Sequence, residues 1–186
     1  YYPYKMGPTS SNYGNTGIIE LPNARFLPEA SLRFNFSSSY PYEYTSLTGA
    51  PFNWLEATYR YTEIKNKQYG PVRYSGNQSL KDKGFDLKFL LVNETYNLPA
   101  IALGLRDIAG TGIFSSEYIV SSKRFNFFDL TFGLGWGVLG TDNNYTNPFF
   151  AQKKDAEIMK HMHLSNNDNF QHGVTFRLGA RGPIWA

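Results

Sequence analysis

The chain of 186 residues has no cysteine, few charged residues and no long apolar run. Without cysteine, a disulfide scaffold, a thiolate metal site and a cysteine nucleophile are excluded. Charged residues make up 18% of the chain, whereas an average soluble domain has about a quarter. No run of about 18 apolar residues is present, so the sequence predicts no membrane-spanning helix. The net charge of +3 comes from mixed signs without a basic block, which argues against a nucleic-acid partner.

A secretion signal is also missing from the sequence. Residues 1–6 have neither a basic start nor an apolar segment, and the first residue is not methionine. We therefore expect a mature or trimmed product, whose compartment must be inferred from the body of the chain.

Aromatic residues, in contrast, are abundant. They make up 17% of the chain and include 15 Phe and 14 Tyr, and 17 Gly and 10 Pro interrupt most stretches. This composition argues against a helical bundle, a coiled coil and a disordered tail. The mean hydropathy of −0.41 resembles that of a soluble protein, but it also fits a membrane barrel, because the strands of a barrel are only half apolar.

The dominant pattern is an alternation of apolar residues with polar or small residues. Successive side chains of a strand point to opposite faces, so each alternating segment predicts a strand with one apolar and one polar face. Weaker strands at 17–21, 43–48 and 113–123 bring the expected number to about nine or ten. The six strongest segments are residues 31–37, 55–62, 84–91, 101–106, 128–138 and 174–181.

One stretch interrupts the strands. Residues 141–169 are polar and rich in asparagine, which predicts a long loop, and residues 151–164 within it are expected to form a short helix. We expect residues 1–186 to form a single β-barrel domain or a fragment of a barrel.

An alternating sheet can bury its apolar face in a sandwich or turn it outward to lipid around a polar lumen. Three features favour lipid. The strands at 53–64, 84–93 and 127–139 are longer than the usual five or six residues, and the polar face carries charges of both signs. Aromatic residues recur near the expected strand ends, where an interfacial girdle would lie: Tyr40, Tyr42, Tyr44, Phe52, Trp54, Tyr59, Tyr61, Phe125, Phe127 and Trp136.

The predicted fold is therefore an all-β, antiparallel transmembrane β-barrel, with a soluble β-sandwich as the alternative. Its charged lumenal positions are the candidate binding residues. Basic groups can bind acidic sugars, and the carboxylates can hold the basic groups in place. The same charges can instead do no more than tie the interior together, and both interpretations stay open. The candidates are Arg33, Glu56, Arg60, Asp86, Lys88, Arg106 and Arg177.

Several segments resemble a known family. Residues 12–25 (NYGNTGIIELPNAR), 51–57 (PFNWLEA) and 81–88 (KDKGFDLK) are similar to the YjbH/GfcD-type outer-membrane family of Gram-negative bacteria, which is tied to exopolysaccharide and group 4 capsule production. The hairpin at 104–118 (GLRDIAGTGIFSSEY) resembles this family most, followed by 122–125 (SKRF) and 133–137 (GLGWG). The resemblance covers about residues 11–140.

The resemblance implies an outer-membrane β-barrel linked to polysaccharide secretion. Members of the family are longer than this chain, so we expect an amino-terminal part of a larger protein. The implied partners are outer-membrane lipid, polysaccharide, and a periplasmic protein or lipoprotein of the same pathway. No catalytic residue or cofactor is carried over from the family.

No catalytic constellation emerges from the residues themselves. Glycoside hydrolysis needs two carboxyls that face one another, and no spacing pairs Glu56, Asp86, Asp107, Glu117 or Asp129. His161, His163 and His172 have no accompanying acidic ligands, so we expect solvated loop histidines and no metal site.

The predicted function is a non-catalytic conduit or docking component for exopolysaccharide at the outer membrane. The alternatives are a general porin or structural barrel and a soluble carbohydrate-binding protein.

Overall fold

The computed structural model describes residues 8–125 and 128–140 and the backbone of residues 175–181. The predicted loop at 141–169, its helix at 151–164 and the three histidines lie outside these residues. Within the described part of the chain, no helix is long and apolar enough to span a membrane. The strands are β1 (Gly17–Ile18), β2 (Leu21–Pro22), β3 (Ser31–Ser39), β4 (Tyr42–Phe52), β5 (Leu55–Gln68), β6 (Ser79–Val92), β7 (Ala100–Arg106), β8 (Ser116–Phe125), β9 (Phe128–Gly135) and β10 (Thr175–Arg181). One helical turn, α1, covers Val72–Ser75, and a 3₁₀ turn covers Gly137–Leu139.

Strands β3 to β10 form one sheet in which each strand pairs with the next along the chain. Every pairing is antiparallel. The sheet curls into a half-barrel, and β1 and β2 form a separate two-stranded ribbon. The predicted all-β, antiparallel fold is thus confirmed.

The apolar face of the sheet is the convex, exposed one. On β3, Leu32, Phe34 and Phe36 are 76%, 70% and 62% exposed. Across the strands, Phe34 lies in register with Leu47, and Leu47 with Tyr59, so the exposed apolar side chains form rows. The intervening positions of β5, such as Arg60, are buried. Among the described residues, no second sheet covers the apolar face, and this arrangement differs from a sandwich.

The concave face is covered by two parts of the same chain. We call residues 8–27 the inner segment and residues 107–115 the β7–β8 loop. Gly14 of the inner segment has a φ of +96°, and a Cβ there would lie 1.8 Å from the hydroxyl oxygen of Ser46 on β4. Only glycine permits both this backbone conformation and this close approach. The two parts meet in an apolar cluster made of Tyr13, Tyr44, Ile64, Leu80, Ile113 and Phe114.

The two ends of the sheet differ in their connections. At one end, which we call the 93–99 end, β4 joins β5 through residues 53–54 and β6 joins β7 through residues 93–99. At the other, the 107–115 end, longer connections at 69–78 and 107–115 alternate with a turn at 40–41.

Aromatic side chains cluster on the outer face at the 93–99 end. Phe52 stacks on Trp54 at 5.4 Å between ring centroids, and Trp54 stacks on Phe89 at 6.4 Å. Two of the predicted girdle residues, Tyr44 and Trp136, are instead buried. Tyr44 shares the concave side of β4 with the buried Ser46 and Thr48, and it packs there against Tyr13, with 5.0 Å between the ring centroids.

The polar concave face as the candidate functional site

Six of the seven candidate residues have described side chains, and these six share the concave face. Five of them are almost completely buried and Arg33 is half-buried. Arg177 lies opposite Gly133 in the pairing of β10 with β9, and its side chain is outside the described structure. The buried five are Glu56, Arg60, Asp86, Lys88 and Arg106.

Glu56 and Lys88 hold the inner segment. Both Glu56 oxygens accept hydrogen bonds from Thr16, one from its backbone N–H and one from its hydroxyl, each at 2.6 Å, and Oε2 also accepts one from the N–H of Leu27 at 3.2 Å. The Lys88 Nζ donates to the carbonyl oxygens of Thr16 and Arg25 at 3.1 and 2.7 Å. Nζ lies 3.4 Å from Glu56 Oε1. Because Glu56, Lys88 and Thr16 are all buried and every partner belongs to the inner segment or to the pair itself, this ion pair acts as a clamp on residues 16–27.

Arg60 and Asp86 form a second buried ion pair, which faces the β7–β8 loop. Arg60 Nη1 donates to Asp86 Oδ2 at 2.9 Å, and Asp86 Oδ1 accepts the N–H of Asp107 at 3.0 Å. The guanidinium also lies over two rings of the apolar cluster, 5.2 Å from the centroid of Phe114 and 5.5 Å from that of Tyr13. Cation–π contacts of this kind are strongest when desolvated.

The other two candidate arginines with described side chains, Arg33 and Arg106, also face the inner segment. Arg33 Nη2 donates to the carbonyl oxygen of Gly14 at 2.8 Å and to the hydroxyl of Thr16 at 3.2 Å. The Arg106 guanidinium carbon lies 4.4 Å from the centroid of the Tyr13 ring. The described candidates thus contact the chain itself. Their role as polysaccharide contacts stays a prediction, and the contacts fit the interpretation that they tie the interior together.

A third charged group, which the sequence pattern does not predict, lies at the 93–99 end. Arg25 donates from Nε and Nη2 to the two oxygens of Asp129 at 2.8 and 2.7 Å, and from Nη1 to Glu94. Burial opposes charge on Glu94, but the hydrogen bond from Arg25 and that from the Arg124 N–H prevail, so the pKa of Glu94 is lowered. Arg25 was missed because it lies outside any alternating segment. Of Arg25, Glu94 and Asp129, only Asp129 lies in an alternating segment, where it is the polar residue after Phe128.

Asp107, at the start of the β7–β8 loop, is a buried acid. Burial raises its pKa to about 6, and the neighbouring Asp82 carboxylate adds to this effect. One of its oxygens accepts the N–H of Phe114 at 3.2 Å. This carboxyl therefore changes charge closer to neutral pH than an ordinary aspartate does.

The inner face of β9 carries the small residues Thr131, Gly133 and Gly135 along most of its length, and the charges of β8 and β9 on this face, Arg124 and Asp129, lie at the 93–99 end. A Cβ on Gly133 would lie 2.7 Å from Val120 Cγ1, and one on Gly135 would lie 2.8 Å from Leu139 Cβ. Two cavities lie between these strands and the inner segment, of about 190 and 30 Å³, and both are lined by Ile18 and Thr131. Within the described residues, no group of acidic and histidine side chains has the arrangement of a metal site.

These features define the class: an all-β protein whose curled antiparallel sheet exposes apolar side chains and encloses charged ones. Residues 9–177 match the family model YjbH, described as exopolysaccharide biosynthesis protein YbjH. The chain belongs to this family, as its sequence motifs predict. A relative from Escherichia coli (strain K12), named uncharacterized lipoprotein YjbH, is 47% identical over 148 residues. The match covers 79% of this chain and 21% of that protein, so the chain spans about a fifth of the relative's length. No solved structure matches the chain.

Proposed function

We propose that this chain forms part of the wall of an outer-membrane β-barrel that serves the export or surface assembly of exopolysaccharide without catalysing a reaction. The observation that carries the proposal is the direction of the two faces. Phe34 is 70% exposed, whereas Arg60 and Glu56 are fully buried. In water this arrangement would leave rows of apolar side chains hydrated, and in a bilayer the same rows contact hydrocarbon.

The aromatic side chains at the 93–99 end support an interfacial position for that end. Phe52 and Trp54 are both about half exposed, and aromatic rings are enriched where a barrel wall leaves the hydrocarbon. Short turns usually lie on the periplasmic side of such barrels and long loops outside. We therefore place the 93–99 end at the periplasm and the 107–115 end at the cell surface.

The family description and the relative's name support the biological setting. The matched family is described by exopolysaccharide biosynthesis, and the E. coli relative is named a lipoprotein, which supports attachment to the envelope. We propose polysaccharide and a periplasmic protein or lipoprotein of the same pathway as partners, with the outer membrane of a Gram-negative bacterium as the location.

The inner segment covers the concave face of the sheet, so the proposed conduit is closed at rest along this part of its wall. It is held by the Glu56–Lys88 clamp and by Arg33. A general porin would need an open lumen, and the hydrogen-bonded inner segment therefore favours a polymer-specific or docking role.

Membrane fractionation and heat-modifiable migration of the full-length protein test the barrel assignment. We expect the protein in the outer-membrane fraction, with faster migration before heating than after it. The variant Phe34→Lys should impair insertion, because a lysine on the lipid face of a barrel costs about 2–4 kcal/mol at the midplane. Phe34→Leu is the matched control and should insert normally. A mature protein that stays soluble would defeat the proposal.

Liposome swelling separates the proposed role from that of a porin. We expect liposomes that contain the full-length protein to exclude small neutral sugars, because the inner segment fills the concave face. Rapid swelling would assign the protein to the general porins instead.

A further inference from the structure

The larger cavity lies where the concave face opens at the 93–99 end. It has a volume of about 190 Å³. One wall belongs to the inner segment and includes Asn23 and Phe26, and the opposite wall is the inner face of β8 and β9, with Arg124, Asp129 and Thr131. We call it the mouth cavity.

Arg124 is a cation in this wall that has hydrogen-bonding capacity to spare. Its side chain is 60% exposed, and Nη2 lies 3.5 Å from Asp129 Oδ2. This ion pair is long, and Asp129 is more closely bound to Arg25, from which its two oxygens accept hydrogen bonds at 2.8 and 2.7 Å. Among the described residues, the Arg124 guanidinium has no hydrogen-bond acceptor. Two arginines and one aspartate line the cavity, and Glu94, which lies outside the lining, also pairs with Arg25, so Arg124 is the less closely paired of the two cations.

The rest of the wall provides the other elements of sugar recognition. Asn23 is buried, and its Oδ1 accepts the N–H of Arg25 at 3.1 Å, which fixes the amide. The hydroxyl of Thr131 lies 2.8 Å from that of Ser122. Phe26 adds an aromatic ring that also contacts the Lys88 ammonium at 4.5 Å. An aromatic surface beside amide, hydroxyl and guanidinium groups suits a pyranose ring that carries a carboxylate.

We infer that the mouth cavity binds an acidic sugar unit, with its carboxylate on Arg124 and its hydroxyls towards Asn23 and Thr131. The inference rests on the proposed function, because it names the class of polymer that the conduit accepts. The cavity is smaller than the roughly 300–1,000 Å³ pockets that hold drug-sized ligands. It therefore accommodates one sugar unit of a chain, and an acidic exopolysaccharide would engage it one residue at a time.

Binding of sodium D-glucuronate to the full-length protein in detergent tests the site, with isothermal titration or saturation-transfer NMR as the readout. We expect saturable binding that weakens about tenfold or more in Arg124→Gln, because a charge-assisted hydrogen bond is lost. Arg73→Gln is the matched control: Arg73 lies in α1 at the opposite end, with a side chain that does not line the cavity. This variant should bind like the wild type. Methyl glucoside and acetate serve as the neutral sugar and the simple anion.

Each outcome decides the inference. Selective glucuronate binding that depends on Arg124 supports it. If methyl glucoside binds as tightly as glucuronate, the site does not select acidic sugars. If acetate binds as tightly as glucuronate, the site is a simple anion site. Either result overturns the inference. Absence of glucuronate binding, or equal binding by Arg124→Gln, overturns it as well. If the protein still inserts and migrates as a barrel, only the site fails. If it does not insert, the proposed function fails independently.

Discussion

The concave face has two halves that share one sheet but differ in what fills them. In the charged half, formed by β4, β5 and β6, Glu56, Arg60, Asp86 and Lys88 are buried against other parts of the chain. In the small-residue half, formed by β8 and β9, Thr131, Gly133 and Gly135 leave the two cavities open. The inner segment passes over both halves.

The difference suggests separate roles: the charged half holds the inner segment in place, and the small-residue half leaves space for a ligand. Buried ion pairs need all their partners in place, so the charged half specifies one position for the inner segment. The small-residue half holds that segment near the 93–99 end, through the hydrogen bond from the N–H of Ala24 to Ser122 at 2.9 Å and the two bonds from Arg25 to Asp129 at 2.8 and 2.7 Å. We infer that a ligand enters most easily beside β8 and β9, where the inner face carries small residues and where Arg124 and Asp129 line the mouth cavity.

The largest effect should come from breaking the clamp in the charged half. Lys88→Met would leave Glu56 buried without its cation, and removal of one partner of a buried pair costs about 3–5 kcal/mol. We expect the free energy of unfolding in urea to fall by that amount and residues 8–27 to become sensitive to protease. The double variant Glu56→Gln/Lys88→Met should recover part of the loss, because no unpaired charge remains.

Lys81→Met on the same strand is the control for this prediction. Lys81 is exposed on the outer face, so the change should stay within about 0.5 kcal/mol. If Lys88→Met costs no more than Lys81→Met, the clamp is not what holds the inner segment, and the distinction between the halves fails.

The boundary between the halves should be the next most sensitive point. Gly104 on β7 lies in register between Lys88 and Tyr118, and a Cβ there would lie 1.9 Å from the Cζ atom of the Tyr118 ring. Gly104→Ala should therefore displace this buried ring. Overpacking of this kind costs about 1–3 kcal/mol in the free energy of unfolding.

Gly70→Ala is the matched control for Gly104→Ala, because a Cβ at position 70 would meet its nearest neighbour at 3.6 Å. Urea unfolding of both variants gives the comparison. Equal stabilities would show that the Tyr118 ring moves aside without cost.

The comparison also shows what the sequence could predict. The alternation at 55–62 and 84–91 assigned Glu56, Arg60, Asp86 and Lys88 to the polar face, because a period of two fixes the face of every strand residue. It did not predict the cover on that face. Residues 113–115, expected to start a strand, lie in the β7–β8 loop, because Phe114 packs against Tyr13, about 100 residues earlier in the chain. Contacts between such distant segments leave no local periodicity.

The two halves should respond to pH in opposite directions, and the larger response belongs to Asp107 beside the charged half. Its folded-state pKa is raised to about 6, so the stability linked to its protonation is complete below its ordinary value near 4 and is lost as the pH rises through about 6. The thermal midpoint should fall over that window. Asp107→Asn should flatten the profile, since asparagine tolerates the positive φ of 55° and keeps an acceptor for Phe114. An unchanged slope in this variant would assign the pH dependence to another group.

The smallest effect should come from Glu94 at the mouth of the small-residue half. The pKa of this carboxyl is lowered, because the bonds from Arg25 and from the Arg124 N–H outweigh the cost of burial. The linked stability is therefore present above the ordinary value near 4.3 and is lost as the pH falls through the lowered pKa. The Glu94 side chain is partly exposed, so solvent screens the pair and we expect about 1 kcal/mol or less. Thermal midpoints of Glu94→Gln and the wild type should converge at acid pH and separate as the pH rises. A separation that grows towards acid pH would reverse the sign and remove Glu94 as a support of Arg25 and of the mouth cavity.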